Sequence, residues 1–133
     1  MLGETDLIKL LASMSPTLME GEYVFLSFEN ANYGDHANLA PIASFIESEG
    51  LTLIVPRANA DSKNLTYESV LRGITLKVHS SLEAVGLTAA FSRKLTENNI
   101  SANVIAGYFH DHIFVQATDA KLAMEALNEL SDQ

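Results

Sequence analysis

The chain has 133 residues, 47% of them hydrophobic, enough for one compact unit or two small ones around a real core. Seventeen acids against eight bases give a net charge of −9, the wrong sign for a surface that meets nucleic-acid phosphates or anionic lipid. The absence of cysteine excludes disulfides, iron–sulfur clusters, thiolate zinc sites and cysteine nucleophiles.

The amino terminus, MLGETDLIKLLASM, lacks the basic start and long apolar run of a secretory signal, and no stretch reaches the length of a membrane span. A cytoplasmic location with no membrane contact is therefore expected. Residues 4–13 read as a short helix: Leu7, Ile8, Leu11 and Met14 recur at helical spacing, and Pro16 stops it. EYVFLSF (22–28) is apolar on both faces and reads as an interior strand. The long polar segment ENANYGDHANLAP (29–41) is rich in turn formers. It is either a plain connector or a loop that closes over a site.

IASFIESEG (42–50) reads as a brief helix ended by Gly50, and LTLIVP (51–56) as a strand closed by Pro56. A helical turn follows within ANADSKNL. GITLKVHS (73–80) alternates, with Ile74, Leu76 and Val78 inward and Thr75, Lys77 and His79 outward. Residues 87–99 form the strongest helix pattern, with Leu87, Phe91 and Leu95 on one stripe. Strands are expected at 102–108 and 112–117. Thr118 or Asp119 then caps a last helix whose Leu122, Ala123, Ala126, Leu127 and Leu130 face inward.

This order implies an α+β sandwich, an antiparallel sheet with helices on one face. The second half is one strand short of a complete βαββαβ unit. Strand 22–28 is a candidate for the missing edge, which would let the two halves share a sheet.

The stretch ITLKVHSSLEAVGLTAAFSRKLTENNISANVIAGYFHDHIFV resembles the ACT domain of aspartokinases and other amino-acid enzymes. A strand, a glycine-bearing loop opening an amphipathic helix, and NNISANVI leading into a hairpin carry the resemblance. EYVFLSF…FIESEGLTLIVP resembles a partner half, as in short stand-alone bacterial proteins with two ACT-like halves. The resemblance implies a ferredoxin-like βαββαβ fold, an amino-terminal half at 1–68 and a carboxy-terminal ACT domain at 69–133. It further implies a regulatory module, not an enzyme, that pairs as a homodimer or higher homo-oligomer, binds an amino acid or similar small zwitterion, and signals to a separate protein target.

The ligand-holding segments implied are the loop after the strand at 74–79, the start of the next helix, and the hairpin. The residues are Ser80, Ser81, Val85, Gly86, Leu87 and Thr88, with Phe109, His110, Asp111 and Ile113. A helix amino terminus offers free amides and partial positive charge to a carboxylate without any basic side chain. The same residues also fit an ordinary capping box of Ser80 and Glu83, with Gly86 as a packing residue. In the hairpin, Asp111 suits a ligand ammonium, or is simply the turn former.

No cofactor is called for. YFHDHIF (108–114) contains a His-x-His, and a metal-dependent enzyme on His110 and His112 is one alternative reading. Third ligands would have to come from His36, Asp35 or His79, and a reversal within YFHDHIF would break the alternation that puts both histidines on one face. The other alternative is a structural dimerisation module with a degenerate pocket. Phosphate-binding, dinucleotide-binding and nucleophile-elbow motifs are all missing.

Overall fold

The computed structural model describes residues 4–77 and 84–132. The outer end of the strand expected over 73–80, with His79, Ser80 and Ser81, lies outside them. In chain order the elements are α1 (Glu4–Ser13), β1 (Thr17–Leu18), β2 (Tyr23–Phe28), β3 (Ala43–Glu47), β4 (Gly50–Pro56), α2 (Arg57–Ser62), β5 (Leu71–Lys77), α3 (Ala84–Glu97), β6 (Asn103–Ala106), β7 (His110–Gln116) and α4 (Ala120–Ser131). The strand pairings are antiparallel and the helices line one side of each core, a ferredoxin-like α+β arrangement. Among the described residues no helix is long and apolar enough to cross a membrane.

The chain divides in space into two units, residues 1–19 with 72–133 and residues 20–71. The sequence reading instead placed all of 1–68 in the first half. The difference is the first helix: Leu11 and Met14 of the α1 region are buried in the core of the carboxy-terminal unit. That core also takes Ile74 and Leu76 from β5, Leu87, Phe91 and Leu95 from α3, Ile113 and Val115 from β7, and Ala123, Leu127 and Leu130 from α4. The stripe Leu87, Phe91, Leu95 comes out as expected. Leu122 does not, being 43% exposed, because it falls beyond the arc of α4 that meets the sheet. Asp119 sits at the α4 N-cap position, but its side chain makes no capping bond, because a short 3₁₀ turn over 117–119 already leads the chain into the helix.

The other edge of β5 is met by β1, with Thr17 paired to Thr75 and Leu18 to Ile74. Sequence reading missed this two-residue strand; it offered 22–28 as the candidate edge, and β2 does pair with β5. β2 reaches β5 through one pair only, Tyr23 with Leu71.

In the 20–71 unit, β2, β4 and β3 lie side by side, and Val24, Leu26, Leu51, Leu53 and Val55 form the core with Leu39 and Ala60. Arg57 fastens α2 to this sheet: its Nη1 bonds Glu22 at 2.9 Å, and its Nε donates to the Tyr67 hydroxyl at 3.0 Å. Residues 42–50 are not a helix. Ala43–Glu47 pairs with Gly50–Ile54 through a two-residue turn at Ser48–Glu49. Ile42, Phe45 and Ile46 have helical spacing, but an apolar run this short fits either period, and the pairing with β4 decides it. Gly50 is needed for close approach rather than as a helix stop: a Cβ there would lie 2.8 Å from the Phe28 carbonyl oxygen.

Candidate functional site

The chain reverses between β6 and β7 two residues earlier than expected, β6 ending at Ala106 and β7 beginning at His110. Gly107 N–H donates to His110 O at 2.9 Å, and Tyr108 and Phe109 form the exposed tip, their rings edge to face at 5.0 Å. His110, Asp111 and His112 are therefore strand residues, and the expected turn-forming role of Asp111 is wrong. The strand period then sorts the side chains. Asp111, Ile113 and Val115 turn to the core side, while His110, His112 and Phe114 share the other face.

On that other face His112 Nδ1 lies 3.1 Å from Thr75 Oγ1. Burial, reinforced by the nearby His110, holds the His112 imidazole below its ordinary pKa. Among the described residues His110 Nδ1 is buried without a hydrogen-bond partner. The two histidines do lie on one face, contrary to the expected break in alternation. Among the described residues, however, no group of three or more His, Cys, Asp or Glu side chains gathers to hold a metal. His36, once a third-ligand candidate, stacks on the Phe28 ring at 3.8 Å between centroids, and Asp35 accepts from the Asn32 N–H at 2.7 Å.

Asp111 is the unusual group. It is 8% exposed, the one charged side chain among the buried described residues. Among the described residues no hydrogen bond or ion pair engages its carboxylate, and burial pushes its pKa up, with His112 pulling the other way. A buried carboxylate of this kind is costly unless it is protonated or meets a cation. Its position follows from the strands. Thr75 touches His112, and a Cβ on Gly73 would meet Phe114, so β5 and β7 run antiparallel. Asp111 thus lies level with Leu76, at the end of the sheet from which β5 leads toward α3.

The other implied ligand residues distribute unevenly. Ser80 and Ser81 lie outside the described residues, as does the side chain of Val85. Gly86 is inside the first turn of α3 rather than in a loop, so its N–H is one of the amides without an intrahelical acceptor. The Leu87 and Ile113 side chains are core residues, which leaves only their backbones for a ligand. Thr88 is half-buried, and Phe109 is 72% exposed at the hairpin tip.

One feature escaped residue-level reading. A hollow of about 600 Å³ in the 20–71 unit is lined by Tyr33, Gly34, Asp35, Pro41, Ile42 and Ser44 among others. The signal for it was the length and turn chemistry of segment 29–41, where Gly34, His36 and Ala40 all adopt positive φ. No periodicity marks which side chains line such a loop.

Two ACT-domain family models match the chain, one over residues 2–72 and one over residues 68–129. None of the curated proteins matches it. Among solved structures, the chain is similar to a Vibrio cholerae protein of unknown function described as a possible transport protein, at 52% identity and a TM-score of 0.85 over 94% of this chain and 95% of that one. It is also similar in fold to aspartokinase alpha and beta subunits (12% identity, TM-score 0.67, 96% and 99% covered). The regulatory subunit of aspartate kinase from Thermus thermophilus is a further neighbour (8% identity, TM-score 0.64, 89% and 97% covered).

Proposed function

The chain belongs to the ACT-domain family, and from that premise we propose that it is a regulatory module that binds an amino acid or similar small zwitterion and carries no chemistry of its own. The observation that supports this most is Asp111, a residue 8% exposed whose carboxylate makes no hydrogen bond or ion pair with another described residue, at the end of the sheet from which β5 leads toward α3. A ligand ammonium against Asp111 would offset the cost of burying the charge. The first-turn amides of α3, Gly86 among them, suit the ligand carboxylate, since a helix amino terminus attracts negative charge. The aspartate kinase regulatory subunits that share this fold support a regulatory reading in kind, without fixing the ligand.

In this reading the protein self-associates and works in the cytoplasm. Occupancy shifts a conformational equilibrium that a separate target protein reads.

A thermal-shift screen against the common amino acids, followed by calorimetry on any hit, tests the proposal. A specific amino acid should raise Tm with concentration. Asp111→Asn should weaken that ligand by about 10- to 150-fold, the worth of a hydrogen bond to a charged group (about 1.5–3 kcal/mol). A flat response across all amino acids would sink the sensor reading and leave an interaction module. A hit whose affinity ignores Asp111→Asn would move the site elsewhere.

A further inference from the structure

We propose that the hollow beside β3 is a docking slot for an amphipathic helix of a separate protein, one with an apolar stripe about two turns long and basic flanks. This gives a place to the protein target of the regulatory reading above, and it rests on that reading for its purpose alone.

The two units share an order of elements and differ at one step. In the carboxy-terminal unit β5 is followed by the 14-residue helix α3, then by the hairpin of β6 and β7 and by α4. In the 20–71 unit β2 is followed by segment 29–41, then by the hairpin of β3 and β4 and by α2. That segment holds only the 3₁₀ turn Ala37–Leu39 in place of a helix. Leu39 enters the core against β2 and β4, and its carbonyl accepts from Asn59 Nδ2 of α2 at 2.9 Å. The loop therefore closes over β2 and β4.

Exposure shows what the loop leaves open. Ser44 pairs with Leu53 and Ile46 with Leu51, and both leucines are core residues, so Ser44 and Ile46 face the core side of the sheet. A residue on that side needs a cover, yet Ile46 is 62% exposed. Ile42 is 45% exposed and lines the hollow of about 600 Å³ together with Tyr33, Asp35, Ser44 and Leu53. Ile42 and Ile46 lie about 13 Å apart along the strand, four residues at about 3.3 Å each. A helix covers that span in about nine residues, so apolar side chains at i, i+3 or i+4, and i+7 reach both. A small zwitterion in the hollow would leave Ile46 wet.

Charge chooses the partner. No lysine or arginine occurs between Lys9 and Arg57, whereas Glu29, Asp35, Glu47 and Glu49 stand in the segment around the hollow. Arg57 itself is held by Glu22 and Asp61. Residues 20–71 hold eight acids against two bases. The field at the slot is therefore negative, and it steers a helix that carries lysine and arginine beside its stripe. A second copy of this chain, at −9, is repelled.

Synthetic peptides of about 14 residues test the slot on the full chain. One carries leucine at i, i+3, i+4 and i+7 with lysine and arginine elsewhere. A second keeps the leucines and puts glutamate and glutamine elsewhere. A third scrambles the first so that no stripe forms. By fluorescence anisotropy the first should bind at least tenfold more tightly than either of the others. Ile42→Ser with Ile46→Ser should weaken it at least tenfold, and Phe45→Ser, on the opposite face of β3, by less than about twofold. Circular dichroism checks that these exposed substitutions leave the fold intact. No binding by the first peptide, equal binding of the scrambled one, or indifference to the serine pair overturns the slot. A dimer in sedimentation equilibrium that the serine pair dissolves gives the surface to a second copy. An amino acid whose affinity falls with the serine pair and not with Asp111→Asn gives it to a small ligand. Either result overturns the partner helix. Amino-acid binding is read separately by calorimetry: a chain that takes the peptide and no amino acid keeps the slot and loses the sensor reading.

Discussion

The two units solve one packing problem with different means. The unit of residues 1–19 and 72–133 covers its strands with α1, α3 and α4, and the large fully buried side chains Phe91, Phe114 and Met14 all belong to it. The unit of residues 20–71 has only the six-residue α2, a 3₁₀ turn at 37–39 and a long loop over its strands. Its core is aliphatic, and its edge strand leaves Phe45 and Ile46 in solvent. Helices make a closed, self-sufficient layer. A loop layer is thinner, leaving the hollow beside Tyr33 and apolar surface that something else must cover.

The sharpest way to break this contrast is at the centre of each core. Phe91→Ala empties a ring-sized space under three helices and should cost about 3–5 kcal/mol, measured by urea denaturation. Leu53→Ala in the loop-covered unit should cost about 2–5 kcal/mol, toward the lower figure because segment 29–41 can settle into the gap. A Leu53→Ala loss equal to that of Phe91→Ala would erase the distinction between a rigid and a compliant cover.

Gly50→Ala comes next, at about 1–3 kcal/mol, because the added methyl meets the Phe28 backbone rather than a side chain that can move.

The two titrating groups of β7 give a smaller, pH-dependent effect. For Asp111 the folded pKa lies above the usual 3.8, so between those values the native state holds more protons and stability falls as pH rises. For His112 the folded pKa lies below 6.5, so in the window beneath 6.5 the unfolded state binds more protons and stability falls as pH drops. Asp111→Asn should abolish the first slope and His112→Gln the second, in melting curves recorded from pH 3.5 to 8 without ligand. Unchanged slopes would mean that neither group titrates differently on folding.

The smallest expected change is Tyr108→Ser at the exposed hairpin tip, within about 0.5 kcal/mol. A larger loss would assign the tip a packing role it does not show.

What was legible in the sequence follows from how local each signal is. The α3 stripe, the strands at 23–28 and 51–56, and the alternation of Ile74 and Leu76 rest on periodicity within one element, and they came out as expected. The site was legible only as a neighbourhood. Asp111 was picked for its charge near a hairpin, but whether it is a turn residue or a buried strand residue depends on where the chain reverses. The reversal depends on Gly107, whose N–H donates to the His110 carbonyl and whose missing side chain lets that carbonyl come close. One residue of shift moves every side chain of β7 to the other face.

The sequence by itself therefore determined the class of architecture and the long helices, because each repeats a period over many residues, while the ACT-like organisation was legible only as a resemblance to a known family. Tertiary structure alone decided that 43–47 is a strand, that Thr17–Leu18 meets β5, and that α1 belongs with the second half of the chain. Each of these rests on pairing between segments far apart or too short to carry a period, where the free energy lies in the partner and not in the segment.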